Sequence, residues 1–462
     1  MKFPHWPEMK GYREIKFGLD RVYSLLERLG NPHMSLPPTI HVAGTNGKGS
    51  NIAYLDAIFS DAGWKTHKYT SPNLVRFNER IVLAGQEISD DYLTNILDEC
   101  KKAAEIHPKI EVTFFEGITV AAFLAFSRVE ADILLLEVGM GGRLDATNVI
   151  LYPIATIITP ISNDHQEFLG NSLAKITREK AGIIKEGVPV IIGKQKPEAL
   201  EVLQKIAQEK NCNFYCLGKD WTVSEDDKNI HMNIDNHKLE LPLPALIGHH
   251  QLENATTAIA ATLVQHDVEI SDLNLLHGLK NVKWPARLEK IESGKLVNKL
   301  LRNFDIYLDG GHNENSAQAI SNWLVKDNMR MVREGKKSPP TYLICAMLEN
   351  KNIYRFLKYL SGSLDFVIGM EIKNEEKTKT SKQISKNALE LGIKSVDVDN
   401  FNEAFEYIKI IDGIDNSKRT GWARSFNPFK KIKKSRILIC GSLYFVGQFM
   451  EENAEKNSKT KK

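Results

Sequence analysis

Short apolar runs alternate with stretches of helical spacing along most of the chain. Ile133–Leu136 is a continuous apolar run, and Ile154–Thr159 and Val188–Ile192 read the same way. Runs of this kind suit strands covered on both faces. After the strand-like Thr39–Ala43 comes a glycine-rich turn, then a helix expected from about Ser50 to Ala62. Ile52, Leu55, Ile58 and Phe59 recur there at helical spacing. Strands separated by helices require right-handed crossovers, and therefore a mostly parallel sheet.

The rhythm breaks at Trp221–Leu241, where β-like runs flank Asp226-Asp227-Lys228-Asn229 and a third follows Asp235-Asn236. A small β insertion is expected there, followed by a helix from about Gln251 to Gln265. Trp284–Gly294 reads as a connection, after which the α/β rhythm restarts with strands expected at Ile306–Asp309, Thr341–Ala346, Phe366–Ile368 and Ile437–Cys440. At 462 residues the chain exceeds one ordinary core. The expected division is a first α/β domain over 1–285, a linker over 286–299 and a smaller C-terminal α/β domain over 300–462.

A net charge of +3 and a pI of about 8.3 are too mild to mark nucleic acid or membrane as the main partner. No apolar run approaches the ~20 residues of a membrane span, and Met1–Lys10 lacks the apolar stretch of a signal peptide. Five scattered cysteines form neither a zinc pattern nor a disulfide framework. Cys345 and Cys440 sit in apolar runs and read as core residues. A cytoplasmic monomer is the expectation. One basic stretch, Lys418 to Arg436, holds eight Lys or Arg residues and marks an insertion at about 413–436. It and the tail Lys459–Lys462 read as a solvated loop and a frayed end, with contact to an anionic partner as the other reading.

Four segments carry chemistry. His41-Val42-Ala43-Gly44-Thr45-Asn46-Gly47-Lys48-Gly49-Ser50 joins a strand to a helix. Glycines let backbone amides curl around phosphate oxygens, and the helix N-terminus adds positive partial charge. Lys48 would reach the β/γ-phosphates and Ser50 the metal. The match to G-x-x-x-x-G-K-[ST] is imperfect, since Val42 stands at its first Gly and Gly49 follows the Lys; a generic glycine turn is the other reading. Leu134-Leu135-Leu136-Glu137 ends an apolar strand in a carboxylate placed either to hold Mg2+ or to cap the next helix. Asn163-Asp164-His165 follows another strand, where His165 is a ligand or a plain loop residue. In Thr177-Arg178-Glu179-Lys180-Ala181-Gly182, alternating charge alone makes Lys180 a surface salt-bridge lysine.

Together these segments resemble the folylpolyglutamate synthase and dihydrofolate synthase family of the Mur ligase superfamily. The likeness runs from Leu29-Gly30-Asn31-Pro32 to Cys440-Gly441-Ser442-Leu443-Tyr444. It includes Tyr69-Thr70-Ser71-Pro72, Phe77-Asn78-Glu79-Arg80-Ile81, Phe115-Glu116 and Arg143-Leu144-Asp145-Ala146-Thr147-Asn148. Further on it includes Gly248-His249-His250-Gln251-x-x-Asn254-Ala255, Trp284-Pro285-Ala286-Arg287-Leu288-Glu289 and Leu308-Asp309-Gly310-Gly311-His312-Asn313. The resemblance implies a P-loop-type ATPase domain and a Rossmann-like second domain. It implies that Gly44 to Ser50, Asn254, Arg287, Asp309 and His312 bind ATP. It makes Ser50, Ser71, Glu137, His165 and a carbamylated Lys180 the Mg2+ set, with K+ as a further cation. Pro72, Phe115 and Asp145 resemble residues lining a pterin pocket. Lys48, His165, Lys180 and Arg287 become the catalytic group. The sequence departs from the family pattern at Asn73, Ala286, Gly311, Glu314 and Glu349-Asn350-Lys351-Asn352; the last removes acids from the second domain.

The implied reaction activates a carboxylate with ATP and then forms an amide with L-glutamate, on dihydropteroate, on folates, or on both. Bifunctionality is the favoured reading. Folylpolyglutamate synthase activity alone, another Mur-type amino-acid ligase, and a nucleotide-binding regulator without turnover are the alternatives.

Overall fold

The computed structural model describes residues 4–8, 18–235, 237–265, 269–300, 304–373, 375, 377–413 and 434–454. Contacts divide the chain into two units, Met1–Ala245 with His250–Trp284, and Leu246–His249 with Pro285–Lys462.

The first unit is built on eight strands: β1 Thr39–Ala43, β2 Thr66–Tyr69, β3 Ile81–Leu83, β4 Gln86–Glu87, β5 Ile133–Glu137, β6 Ala155–Ile158, β7 Val190–Ile192 and β8 Phe214–Cys216. Their order is β4-β3-β2-β5-β1-β6-β7-β8. The six strands from β2 to β8 run parallel, and the β3–β4 edge is antiparallel. β1 and β5 are buried at every position, which explains the apolar run Ile133–Leu136; the buried polar residues Thr39, His41 and Glu137 are the exceptions. Register then decides where the chemistry sits. Val42 lies opposite Glu137, Ala43 opposite Ile158, and Tyr69 opposite Leu136. The loops after β1, β2, β5 and β6 therefore leave from one rim, the carboxyl ends of neighbouring strands, where open α/β sheets bind ligands.

One face of the sheet is covered by helices Asp20–Arg28, Asp90–Glu105 and Phe114–Phe126, whose Leu25, Leu97 and Phe123 pack with Leu134 and Leu136. A second core gathers Ile158, Ile176, Ile184, Ile192 and Leu203 under helices Leu173–Ala181 and Pro197–Glu209. The expected β insertion is an antiparallel sheet of β9 Trp221–Glu225, β10 Asn229–Ile234 and β11 His237–Pro242.

The second unit holds β12 Arg287–Ile291, β13 Phe304–Asp309, β14 Thr341–Cys345, β15 Phe366–Gly369, β16 Lys394–Asp397 and β17 Ser435–Cys440, in the order β12-β13-β17-β14-β15-β16. All neighbours are parallel except β12 with β13. Leu324, Phe356, Leu357 and Ile384 cover one face. Phe401, Phe405, Phe445 and Phe449 form an aromatic cluster. Cys345 and Cys440 are fully buried here.

Two expectations need correction. The stretch 286–299 is not a bare connection. Its Arg287–Ile291 forms an edge strand, bulged between Arg287 and Glu289, in which Arg287, Glu289 and Lys290 interrupt any apolar run. The basic stretch also ends earlier than expected. Arg436 lies in β17, buried, bonded to Asn328 and Thr341, ion-paired with Asp327 and stacked on Trp323. Residues 414–433 and the tail Lys459–Lys462 lie outside the described residues.

Candidate active site

The nucleotide loop occupies the turn between β1 and helix Lys48–Asp61, two residues ahead of the expected helix start. Its glycines are forced by close neighbours. A Cβ on Gly44, at φ 151°, would stand 1.8 Å from Thr159 Oγ1, and one on Gly47, at φ 92°, would stand 2.4 Å from Asn254 Oδ1. The amides of Thr45 and Asn46 donate to the Pro160 carbonyl at 3.0 and 3.3 Å. They fasten the loop to the end of β6. Asn51 makes the first intrahelical bond, to Gly47. The amides of Gly47, Lys48, Gly49 and Ser50 therefore have no intrahelical acceptor, the helix-start arrangement that suits an anion. Asn254 joins this loop through Asn51 Nδ2 at 3.4 Å.

The unexpected Gly49 has a local cause. A Cβ there would lie 2.8 Å from Trp284 Cζ2, so the indole packs directly on the backbone where the helix begins. In the sequence Trp284 stands only as the start of the connection Trp284–Gly294 and as part of a motif.

Glu137, 4% exposed at the end of β5, accepts the Ser71 amide at 3.3 Å, and its other oxygen lies 3.8 Å from Lys48 Nζ. Ser71, Glu137 and Lys48 thus meet at the rim. Ser50 is buried in the first turn of the following helix. His165 sits on the loop after β6 at φ 51°, ahead of helix Gln166–Leu169, its amide bonded to the Asp164 carboxylate at 3.0 Å.

Lys180 overturns its sequence reading. It is 5% exposed, and its Nζ donates to the Gly44 carbonyl at 2.8 Å. The surface ion pair expected of it belongs instead to its neighbour Glu179, which binds Arg143 at 3.0 Å. Burial, reinforced by the positive charge of Lys48 and opposed by Asp164, pushes the Lys180 ammonium down to about 7. Asp164 is a charged member of this site that the sequence reading left without a role. Among the described residues no three His, Cys, Asp or Glu side chains gather as a metal cluster. The implied set contains only two such side chains, and its remaining donors are hydroxyls and the modified lysine.

Phe115 is the second residue of helix Phe114–Phe126, behind the N-cap Thr113, and Glu116 closes the capping box while binding Arg21 at 2.6 Å. The Phe115 ring covers Gly139, where a Cβ would lie 2.3 Å from its Cζ, and stands 6.1 Å from the Tyr69 ring. Asp145 is buried and accepts the Met140 amide at 2.8 Å and the Thr147 amide at 3.0 Å. Burial raises its carboxyl above the ordinary range, opposed by these hydrogen bonds. Phe115 and Asp145 are therefore joined through the turn Gly139–Met140. Pro72, beside Ser71, is exposed.

Arg287, Asp309 and His312 form a group of their own within the second unit. Asp309 ends β13, 5% exposed, and accepts the amides of Leu288 at 2.9 Å and Gly311 at 2.7 Å. Burial raises its carboxyl, and Arg287 is the largest opposing influence. His312 Nδ1 lies 3.1 Å from the Gly310 carbonyl. Lys351 and its flanking Asn350 and Asn352 line a hollow of about 390 Å³ with Lys379 and Gln383, with no acid where the family pattern has its pair.

The chain as a whole is similar to known proteins. Residues 42–262 match the profile of the Mur ligase middle domain, and residues 294–452 that of the dihydrofolate synthetase C-terminal domain. The chain is 36% identical to a dihydrofolate synthase/folylpolyglutamate synthase of Bacillus subtilis, over 66% of this chain and 72% of that one. It is 30% identical to the dihydrofolate synthetase of Saccharomyces cerevisiae, over 94% of this chain and 97% of that one. The structure of a bifunctional folylpolyglutamate synthase/dihydrofolate synthase from Yersinia pestis, complexed with AMPPNP and Mn ion, superposes with a TM-score of 0.77 at 26% identity, covering 95% of this chain and 94% of that one.

Proposed function

The chain belongs to the dihydrofolate synthase/folylpolyglutamate synthase family, and from that premise we propose that it ligates L-glutamate to dihydropteroate and to the γ-carboxylate of folates, using ATP. The observation that carries this reading is the buried Lys180, bonded to the carbonyl of the nucleotide loop beside Lys48 and Glu137. A phosphate-binding loop alone would serve any nucleotide-binding protein; a buried lysine of lowered proton affinity at its base serves the metal-assisted ligases that the sequence resembles.

The acceptor carboxylate attacks the γ-phosphorus of ATP, the bond to the β-bridging oxygen breaks, and ADP leaves. The glutamate amine then attacks the acyl-phosphate carbonyl, the carbon–oxygen bond breaks, and phosphate departs as the amine proton passes to solvent. Lys48 and Arg287 offset charge on the transferring phosphoryl oxygens, with the helix-start amides fixing their position. Neutral Lys180 adds through Nζ to CO2, forming an N–C bond and releasing a proton, and becomes a carboxylate-ended side chain. The donors fit a hard divalent ion: the buried Glu137 carboxylate, the Ser50 and Ser71 hydroxyls, the carbamylated Lys180 and His165. When bound, that ion supplies positive charge against the phosphate oxygens. Phe115, Pro72 and Asp145 receive the pterin, and Asn254, Asp309 and His312 serve the nucleotide.

The five cysteines are free thiols, which suits a reducing cytoplasm, and no helix among the described residues is long and apolar enough to cross a membrane. We place the enzyme there as a monomer acting on small molecules. A second reading, first-glutamate addition alone, is favoured by the C-terminal profile and by the yeast relative's near-complete coverage. Phosphate release from ATP with Mg2+ and L-glutamate, compared between dihydropteroate and tetrahydrofolate, decides between them. Turnover of both acceptors, each gaining one glutamate by mass spectrometry, supports the bifunctional reading. Turnover of dihydropteroate alone supports the second, and release with neither acceptor from folded, ATP-binding protein overturns both.

A further inference from the structure

His41 and Thr147 form a buried chain of hydrogen bonds that ends on Asp145. His41 Nε2 lies 2.9 Å from Thr147 Oγ1, and Thr147 Oγ1 donates to Asp145 Oδ1 at 2.6 Å. His41 and Thr147 are 0% exposed. The protons can be assigned. The Thr147 hydroxyl gives its one proton to Asp145 Oδ1, which also accepts the Thr147 amide. Its oxygen then accepts from the imidazole, which fixes the Nε2–H tautomer. His41 Nδ1, buried without a partner, is left as a lone pair, a lesser cost than an orphaned N–H. Burial holds this imidazole neutral, pushing it down to about 3, with Lys185 adding to the effect.

The far end of the chain is the turn under Phe115. Asp145 Oδ2 takes the Met140 amide, and Gly139, directly before it, is the residue the Phe115 ring covers. We infer that His41 and Thr147 are positioning residues for the acceptor, acting through Asp145 to hold the Gly139–Met140 turn and the carboxylate in the geometry the pterin meets. This rests on the assignment of Phe115 and Asp145 to the acceptor pocket. It gives β1 a second task beside launching the nucleotide loop, carried by a side chain that touches neither substrate.

The test uses the full-length enzyme and two variants. Thr147→Val keeps the shape and removes the hydroxyl; Thr147→Ser keeps the hydroxyl. With Thr147→Val, the KM for dihydropteroate is expected to rise about tenfold or more, the scale of losing one hydrogen bond to a charged group, while the KM for ATP stays within about twofold; Thr147→Ser restores the acceptor KM. Labelling the ten methionines with 15N supplies a readout that needs no turnover. The Met140 amide resonance, assigned with Met140→Leu, moves in Thr147→Val and returns in Thr147→Ser. An unmoved Met140 resonance, or equal changes in both KM values, overturns the inference. If the wild-type enzyme turns over neither acceptor, the proposed reaction falls, and the Met140 resonance still decides whether the chain holds the turn.

Discussion

Lys180 is the residue whose environment departs furthest from its sequence context. Its proton affinity near 7 in the fold, against about 10.5 for a free lysine, has a calculable consequence. Between those values the unfolded chain holds a proton that the folded chain has released, so stability rises with pH from about 7 to about 10.5, at roughly 1.4 kcal/mol per unit. Below about 7 both states are charged, and folding must bury the charge. Chemical denaturation in CO2-free buffer between pH 7 and 9 should show this slope, and Lys180→Met should lack it. Bicarbonate should flatten it in the wild type, because a carbamate no longer titrates as an amine. A wild-type slope unaltered by the substitution would mean that the buried amine is not the titrating group. At Lys48, beside Glu137, substitution by Met removes a positive charge from the phosphoryl side of the site. It should lower kcat by about 10²–10³, by analogy with the loss of one donor that stabilises transition-state charge. A steady-state assay showing less than a tenfold loss would remove Lys48 from the phosphoryl-transfer machinery.

Among elements, legibility followed burial and polarity. β1, β5, β6 and β14 announced themselves because parallel strands covered on both faces are mostly apolar, although Thr39, His41, Glu137, Thr156 and Thr341 are buried in them. β2 did not, although it is largely buried, because its Thr66, His67 and Lys68 are satisfied by Asp56 and the Val129 carbonyl. β16 and β12 sit at sheet edges, where charged residues are ordinary. The site shows the same division. Glu137 was readable from its place at the end of an apolar strand, whereas Asp164, Trp284 and the His41–Thr147 chain depend on contacts between distant segments that no local pattern carries. Trp284 on Gly49 makes this testable. Gly49→Ala places a methyl against the indole and should cost about 1–3 kcal/mol as overpacking. Trp284→Ala removes the obstacle, so the double variant should be more stable than the summed single effects by about 0.5–3 kcal/mol. Additive costs in urea denaturation would show that the glycine is required by the backbone and not by the ring.

At the scale of the whole molecule, the alternating pattern of the sequence contained the two α/β units, but it misread the stretch between them. What sets the units apart physically is that each has its own core. Phe123 packs among Leu97, Leu134 and Leu136 in the first, and Phe356 among Leu324, Leu343 and Leu357 in the second. Both rings are fully buried or nearly so, and truncating either to alanine should cost about 3–5 kcal/mol. Chains built from several cores commonly depart from two-state unfolding, so the two losses should fall on different transitions. Calorimetry is expected to show Phe123→Ala lowering one component of the melting profile and Phe356→Ala the other. A non-hydrolysable ATP analogue at about 100 times its Kd should stabilise the component that contains the nucleotide loop by about 2.7 kcal/mol, identifying it as the one Phe123→Ala lowers. If each variant instead shifts a single transition by the same amount, the cores unfold as one cooperative unit, and the division of the chain is one of contacts and not of stability.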